Sequence, residues 1–133
     1  MRRLRFARLW SILAWSMVAV ALYLSLIPPS TPYLRVLFQF NDKVEHALCY
    51  LVLTVWFTGL YPPSRYVWIA VALLAMGVAV EFLQGWMGIG RHKEARDVYA
   101  DLAGIVLGLV LALTVLRNWM ARFESAVTGN RAT

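Results

Sequence analysis

The sequence has few charged residues and a single cysteine. Asp, Glu, Lys and Arg together make up 15% of the 133 residues, against about 25% in a typical soluble domain. Cys49 has no second cysteine with which to form an internal disulfide, and no paired-cysteine metal motif is present. Hydrophobic residues account for 61% of the chain. This composition excludes an ordinary soluble domain and indicates a membrane protein.

The sequence does contain four long apolar stretches. They cover about residues 9–27, 44–60, 66–83 and 98–116, and each is close to the ~20 residues that a helix needs to cross a bilayer. Together with their connections they use nearly the whole chain. We therefore predict an all-α fold, in which residues 1–133 form a single membrane domain with four transmembrane helices in a bundle.

The first apolar stretch also has features of a cleaved signal peptide. It follows the basic segment RRLRFAR, and residues 19–21 (AVA) resemble a cleavage site. Because the apolar run continues past that point to residue 27, we interpret it as an uncleaved first helix. The segment after it, YLRVLFQF at residues 33–40, is too short to span a bilayer, and we predict that it lies at the extracytoplasmic interface.

The distribution of basic residues predicts the orientation. Eight of the 13 Lys and Arg residues fall on the side that holds both termini, and short loops rich in Lys and Arg stay cytoplasmic. We therefore expect a multi-pass protein of the cell (inner, cytoplasmic) membrane with both termini inside. The basic excess lies in short tails beside the spans, which argues against nucleic acid as a partner. The tail after Arg117 begins with an amphipathic pattern (RNWMARF), and its end, SAVTGNRAT at residues 125–133, is expected to fray.

Acidic residues have the opposite distribution. Acids have little influence on orientation, so their accumulation on the outer side needs another cause, and a polar site on that face would supply it. Both histidines, His46 and His92, fall on the same side. Six of the seven acids lie there: Asp42, Glu45, Glu81, Glu94, Asp97 and Asp101.

Helical spacing places several of these residues on shared faces. Asp42 and His46 are four residues apart at the outer end of the second helix, and Glu81 and Gln84 are three apart at the outer end of the third. A histidine or carboxylate at the edge of a span is costly unless it has a function or a partner. Each residue also has a structural interpretation, as a helix cap, as an interfacial side chain that reaches water, or as a bond between helices.

A polar stripe continues along the fourth helix. Asp97, Asp101, Gly104 and Gly108 are spaced at i, i+4, i+7 and i+11, so they share one face. Because Gly-x-x-x-Gly is typical of closely packed membrane helices, we expect this face to contact other helices and Asp101 to point into the bundle. Arg91, in the preceding outer loop, has the chemistry to grip a phosphate or carboxylate bidentately, or to serve as a counter-ion for the acids.

The predicted functional cluster therefore draws on three helices and one loop. Its members are Asp42, His46, Glu81, Gln84, Arg91, Asp97 and Asp101, and Lys43, Tyr50, Glu94, Gly104 and Gly108 are expected to support it. The sequence lacks the signatures of zinc proteases, of serine hydrolases and of P-loop proteins. No catalytic residue, metal site or cofactor is therefore assigned from the sequence.

Four of these elements, taken in order, resemble the VanZ-like family of small membrane proteins. They are Asp-Lys-x-x-His-x-x-x-Tyr at 42–50, Glu-x-x-Gln at 81–84, Gly-Arg followed by an acid and Asp at 90–97, and Asp-x-x-Gly at 101–104. The resemblance covers roughly residues 42–108. The family is named after a protein linked to resistance to teicoplanin, a lipoglycopeptide. Asp101 stands where the family usually has asparagine, which adds a possible charge to the fourth helix.

The resemblance implies an integral protein of the cell envelope with a link to antibiotic resistance, but it does not define a reaction. Three functions remain open from the residues. The outer cluster can bind a membrane lipid or another envelope amphiphile by its head group. It can serve a membrane-embedded hydrolase or transferase, with or without a divalent metal. It can instead be a structural or regulatory network that locks the helices. The oligomeric state is left open.

Overall fold

The described part of the chain is entirely helical. The computed structural model describes residues 2–27, 42–88 and 95–129, the side chains of Asp42 and Ala95 excepted. Within these ranges there are five α-helices and no strand, which confirms the all-helical prediction; the predicted interfacial segment 33–40 lies outside them. The helices are α1 (Ala7–Leu26), α2 (Asp42–Leu60), α3 (Tyr66–Met87), α4 (Ala95–Leu113) and α5 (Trp119–Thr128), with a short 3-10 turn at Pro63–Arg65 before α3.

Two of the helices are long and apolar enough to cross a membrane. They are α1, with a mean hydropathy of 1.9 over its most apolar window, and α3 together with its preceding turn, with 2.1. Helices α2 and α4 have 19 residues each and carry several charged residues in their first two turns, which lowers their apolar character. Two of the four predicted spans therefore have the length and composition that crossing a membrane requires.

The helix ends differ from the predicted spans for local reasons. Helix α4 begins at Ala95, three residues before the predicted start, and has Asp97 in its first turn, where the helix dipole favours an anion. Helix α3 continues to Met87 and ends at Gly88, whose φ of 61° is left-handed. Such a terminus favours glycine. The polar ends of α3 and α4 thus belong to the helices and hold their side chains in fixed positions.

Glycines let α2 and α4 pack with their backbones in contact. A Cβ atom added at Gly104 would collide with the carbonyl oxygen of Ala47, and one added at Gly108 would lie 2.6 Å from Cβ of Thr54. This is the close approach that the Gly-x-x-x-Gly pattern predicts. The buried hydrophobic core lies beside this contact, and it is formed by Trp10, Ala14, Tyr50, Leu53, Phe57, Leu60, Leu73, Ile105 and Met120.

Large apolar side chains cover the outside of the bundle. Trp15 on α1 is 63% exposed, and Trp68 and Trp86 on α3 are 67% and 84% exposed. Isolated exposed apolar residues are ordinary in soluble proteins, whereas contiguous apolar faces mark contact with a partner or a membrane. These three tryptophans lie on the two helices that have the length and hydropathy of membrane spans, and α2 and α4 expose apolar side chains as well, among them Val52 and Val106.

Helix α5 closes one end of the bundle by capping α1. Glu124 accepts hydrogen bonds from the backbone N–H groups of Arg5 (2.8 Å) and Phe6 (3.0 Å) and from the indole N–H of Trp10 (2.8 Å). Arg5 and Phe6 immediately precede α1, where backbone N–H groups have no partner within the helix, so Glu124 supplies an acceptor from a distant part of the chain. The expectation of a frayed end is wrong over residues 125–128, because they form the last turn of α5.

The pKa of Glu124 reflects this environment. Burial raises the pKa of the carboxyl group, but hydrogen bonds from the Phe6, Arg5 and Trp10 N–H groups and the charge of Arg5 favour the ionised form more strongly. The net result is a pKa below the ordinary value for glutamate. We call this region, where α5 and the chain's first residues meet, the Glu124 end of the bundle.

Aromatic rings and Arg2 complete the Glu124 end. The rings of Trp10, Trp56 and Trp119 meet edge to face, with centroids 5.5 to 5.7 Å apart, a favourable arrangement for aromatic pairs. The Arg2 guanidinium donates to the carbonyl oxygen of Tyr61 (2.9 Å) and to the Tyr66 hydroxyl (3.0 Å). These contacts join the first residues of the chain to the connection between α2 and α3.

Candidate functional site

Three titratable side chains converge at the opposite end of the bundle. His46 lies in the second turn of α2, Glu81 near the end of α3 and Asp97 in the first turn of α4. Each offers one possible ligand atom, and these atoms all lie within 4.8 Å of one another. Glu81 is 3% exposed and Asp97 is 5% exposed. We call this region, together with Asp101, the Asp101 end of the bundle.

Asp101 supports the imidazole ring of His46. Nδ1 of His46 lies 2.9 Å from Oδ1 of Asp101, and Asp101 is 1% exposed. An ionised carboxylate only accepts hydrogen bonds, so in that state Nδ1 carries the proton and donates it to Asp101. The hydrogen bond fixes the ring orientation and makes Nε2 the ring nitrogen that a ligand would engage.

Gly77 makes room for the Asp101 side chain. A Cβ atom at Gly77 would lie 2.5 Å from Oδ2 of Asp101 and 3.3 Å from the Tyr50 hydroxyl oxygen. The absence of a side chain on α3 therefore lets Asp101 of α4 and Tyr50 of α2 meet over the α3 backbone. Any residue larger than glycine at position 77 would displace the carboxylate.

Lys43 supplies a positive charge at the edge of the site. Its Nζ atom lies 3.2 Å from Oδ1 of Asp97, and the side chain of Lys43 is 38% exposed whereas that of Asp97 is 7% exposed. A solvent-accessible ion pair of this kind contributes about 0–1 kcal/mol. The contact therefore does more to balance the charge of Asp97 than to stabilise the fold.

Gln84 connects the site to α1. Its amide nitrogen donates a 2.7 Å hydrogen bond to the carbonyl oxygen of Ser25, and Gln84 itself is buried. The sequence placed Gln84 in the cluster by its spacing from Glu81 but gave no partner for it. The partner lies in the last turn of α1, where helix carbonyl groups lack intrahelical donors. This rule about helix ends is the one feature of the sequence that could have pointed to Ser25 as a hydrogen-bond partner.

The remaining predicted residues fall into two groups. Tyr50, Gly104 and Gly108 pack between helices at and beneath the site. Arg91 and Glu94 lie outside the described residues, as does the side chain of Asp42, so their predicted roles stay predictions. The structure thus brings together His46, Lys43, Glu81, Asp97 and Asp101, and links Gln84 to the neighbouring helix.

The arrangement has the chemistry of a small cation site. Ligand atoms on opposite sides of one metal ion are separated by about 4–5 Å, twice a metal–ligand bond of ~2.0–2.6 Å. The atoms of His46, Glu81 and Asp97 lie within that range. The bond between His46 and Asp101 also matches the carboxylate–histidine pairing that orients metal-binding imidazoles. The same groups can instead accept hydrogen bonds from an amine or a hydroxyl.

Comparison with known proteins finds no relative of this chain. The chain matches no family model, no curated protein and no solved structure. The resemblance to the VanZ-like family therefore stays a prediction from the motifs at residues 42–108.

Proposed function

We propose that this chain is a four-span membrane protein of the VanZ-like kind, whose extracytoplasmic Asp101 end binds the head group of an envelope amphiphile. The observation that carries the proposal is the convergence of His46, Glu81 and Asp97 within 4.8 Å at the end of a bundle with apolar outer faces. A head group at this position meets polar atoms while its hydrocarbon chain remains beside the apolar helices.

The packing of α2 and α4 supports the four-span arrangement. Each has 19 residues, which corresponds to about 28 Å of helix and is close to the ~30 Å thickness of a bilayer's hydrocarbon core. Their backbones touch at Gly104 and Gly108. Their charged residues are concentrated in the first turns, at the Asp101 end, where they would face the water beyond the outer leaflet.

The charges of the site favour a particular class of head group. Glu81, Asp97 and Asp101 bring three carboxyl groups beside His46 and Lys43. Acceptor-rich surroundings favour groups that donate hydrogen bonds, such as amines and hydroxyls. Arg91 would add a bidentate grip on a phosphate, so a head group with both phosphate and amine or hydroxyl groups fits the proposal best.

Native mass spectrometry tests this proposal. The protein, purified in a mild detergent, is incubated with phosphatidylethanolamine or with a polyprenyl phosphate. We expect at least one to be retained, and we expect its retention to be lost in His46→Ala and in Arg91→Ala. Arg122→Ala, an exposed arginine on α5, is the control and should retain the ligand. Equal retention in all variants, or loss only together with folded protein, would favour the structural-network interpretation instead.

A second candidate function is metal-assisted hydrolysis or group transfer on an envelope lipid. The specific observation in its favour is the combination of three possible ligands with Asp101 behind His46. Three protein ligands with an open position are typical of catalytic zinc. A divalent ion there would polarise a phosphoryl oxygen or lower the pKa of a bound water.

Metal analysis separates this candidate from simple head-group binding. Protein stripped with a chelator is reloaded with Zn²⁺, and the metal content is measured after desalting. We expect one ion per chain, loss of the ion in His46→Gln, and affinity weakened about 10–100-fold in Asp101→Asn, the change expected for a residue behind a ligand. Metal content that is unchanged in His46→Gln would rule out this site.

A further inference from the structure

A separate apolar groove lies towards the Glu124 end of the bundle. It has a volume of about 370 Å³ and lies between α1, α2 and α3. Trp15 of α1 and Phe57 of α2 form its walls together with Trp68, Leu73 and Met76 of α3. This volume lies within the range of small-molecule pockets, about 300–1,000 Å³, and no part of the Asp101 end lines it.

The groove has one polar mouth. Tyr61 and Arg65 line it at the connection between α2 and α3, and among the described lining residues Arg65 is the one with a charge. Arg2 brings a second guanidinium to the same region, since it donates to the carbonyl oxygen of Tyr61 at 2.9 Å. The mouth is therefore positively charged, and the rest of the groove is apolar.

The length of the groove matches the depth of one lipid leaflet. Its lining residues along α3 run from Arg65, directly before the helix, to Met76, a rise of about 15 Å. Half of a ~30 Å hydrocarbon core is also about 15 Å. Two of its walls, α1 and α3, are the helices with the length and hydropathy of membrane spans. A single acyl chain lying along α3 would thus reach from Arg65 to the middle of a bilayer.

We propose that this groove is a binding site for one anionic phospholipid of the leaflet at the Glu124 end, with its acyl chain against Trp68 and Leu73 and its phosphate at Arg65. The charge at the mouth selects the head group by its net charge. Anionic and zwitterionic phospholipids both carry a phosphate, but the cationic group of a zwitterionic lipid offsets that charge and is repelled by the arginine. The proposal is independent of the function assigned to the Asp101 end.

The test compares two lipids that differ only in head group. The full-length protein in mild detergent is mixed with equal amounts of dioleoyl phosphatidylglycerol and dioleoyl phosphatidylcholine, and native mass spectrometry counts the retained lipids. We expect retention of one phosphatidylglycerol in preference to phosphatidylcholine. Arg65→Gln should remove the preference, and Ala72→Trp, which fills the groove from an exposed position, should reduce retention of both lipids several-fold.

Two matched variants act as controls. Arg122→Gln removes an exposed arginine away from the groove, and Val71→Trp adds the same bulk to the neighbouring residue on α3, which is 54% exposed and does not line the groove. Both should behave like the wild type. The proposal fails if Arg122→Gln lowers the preference as much as Arg65→Gln does, or if Ala72→Trp leaves retention unchanged. It also fails if Ala72→Trp instead abolishes a dimer mass, since the groove would then be an interface between two copies.

Discussion

The two ends of the bundle use carboxylates in opposite ways. At the Glu124 end, one carboxylate receives three N–H donors from the start of α1. At the Asp101 end, three carboxyl groups share a small region with one imidazole and one ammonium group. The first arrangement gives each oxygen atom a structural partner. The second concentrates like charges, which is unfavourable for stability and supports the proposal that a ligand binds there.

Under the proposed function, this comparison separates residues that hold the fold from residues that serve a site. It implies that substitutions at the Glu124 end chiefly lower stability. Substitutions at the Asp101 end should chiefly alter binding, except where a glycine sets the distance between helices. Thermal unfolding in detergent, with ligand retention measured on the same samples, can test this distinction for each variant.

The largest loss of stability is expected for Glu124→Ala. The substitution removes the acceptor for two backbone N–H groups and the Trp10 indole. At roughly 1 kcal/mol for each lost hydrogen bond, the free energy of unfolding should fall by about 3 kcal/mol. Ser125→Ala is the control, since the Ser125 hydroxyl donates to the carbonyl oxygen of Ala121 within its own helix. Similar melting temperatures for the two variants would contradict the capping role.

A smaller loss is expected for Gly104→Ala. The new methyl group would overlap the carbonyl oxygen of Ala47 and push α4 away from α2. Overpacking of this kind costs about 1–3 kcal/mol, even though alanine is the better helix former. Because Gly104 lies one turn from Asp101, ligand retention should fall as well. Ala103→Val, at the exposed neighbouring position, should change neither measurement; an equal effect there would show that α4 is sensitive to any added volume.

The change in stability that acid produces through Glu124 should be smaller than the losses expected for these two substitutions. Its pKa is lowered in the folded protein, so its contribution is fully present above the ordinary pKa of glutamate and is lost as the pH falls through the folded value. Melting temperatures measured across the acid range should therefore decline less steeply in Glu124→Gln than in the wild type. Parallel curves would show that other groups control acid unfolding.

The smallest change in stability is expected for Lys43→Gln. The ion pair with Asp97 is accessible to solvent, so its loss should cost less than about 1 kcal/mol. Removal of the ammonium group takes away the positive charge beside Asp97, so binding of Zn²⁺ should become tighter. A marked fall in melting temperature without a change in Zn²⁺ binding would mean that Lys43 belongs to the fold and not to the site.

The sequence predicted much of the helical framework and part of the site. Apolar runs located the helices, and the spacing of Asp101, Gly104 and Gly108 indicated the face of α4 that packs against α2. Spacing relates residues within one helix only, so it could not show that His46 and Asp101 lie 2.9 Å apart. The cap formed by Glu124 was also out of reach, because nothing local to a lone glutamate near the end of the chain identifies a partner at residue 5.

The bond between Glu124 and the backbone of Arg5 spans 119 positions of the chain, and this has a consequence for biosynthesis. At a synthesis rate of about 5–20 residues per second, α1 would emerge roughly 6–24 s before its cap is made. During that interval its first turn must obtain hydrogen bonds from water or from a chaperone. The contact between α5 and the start of the chain can therefore form only after residue 124 has been made, however early α1 itself has folded.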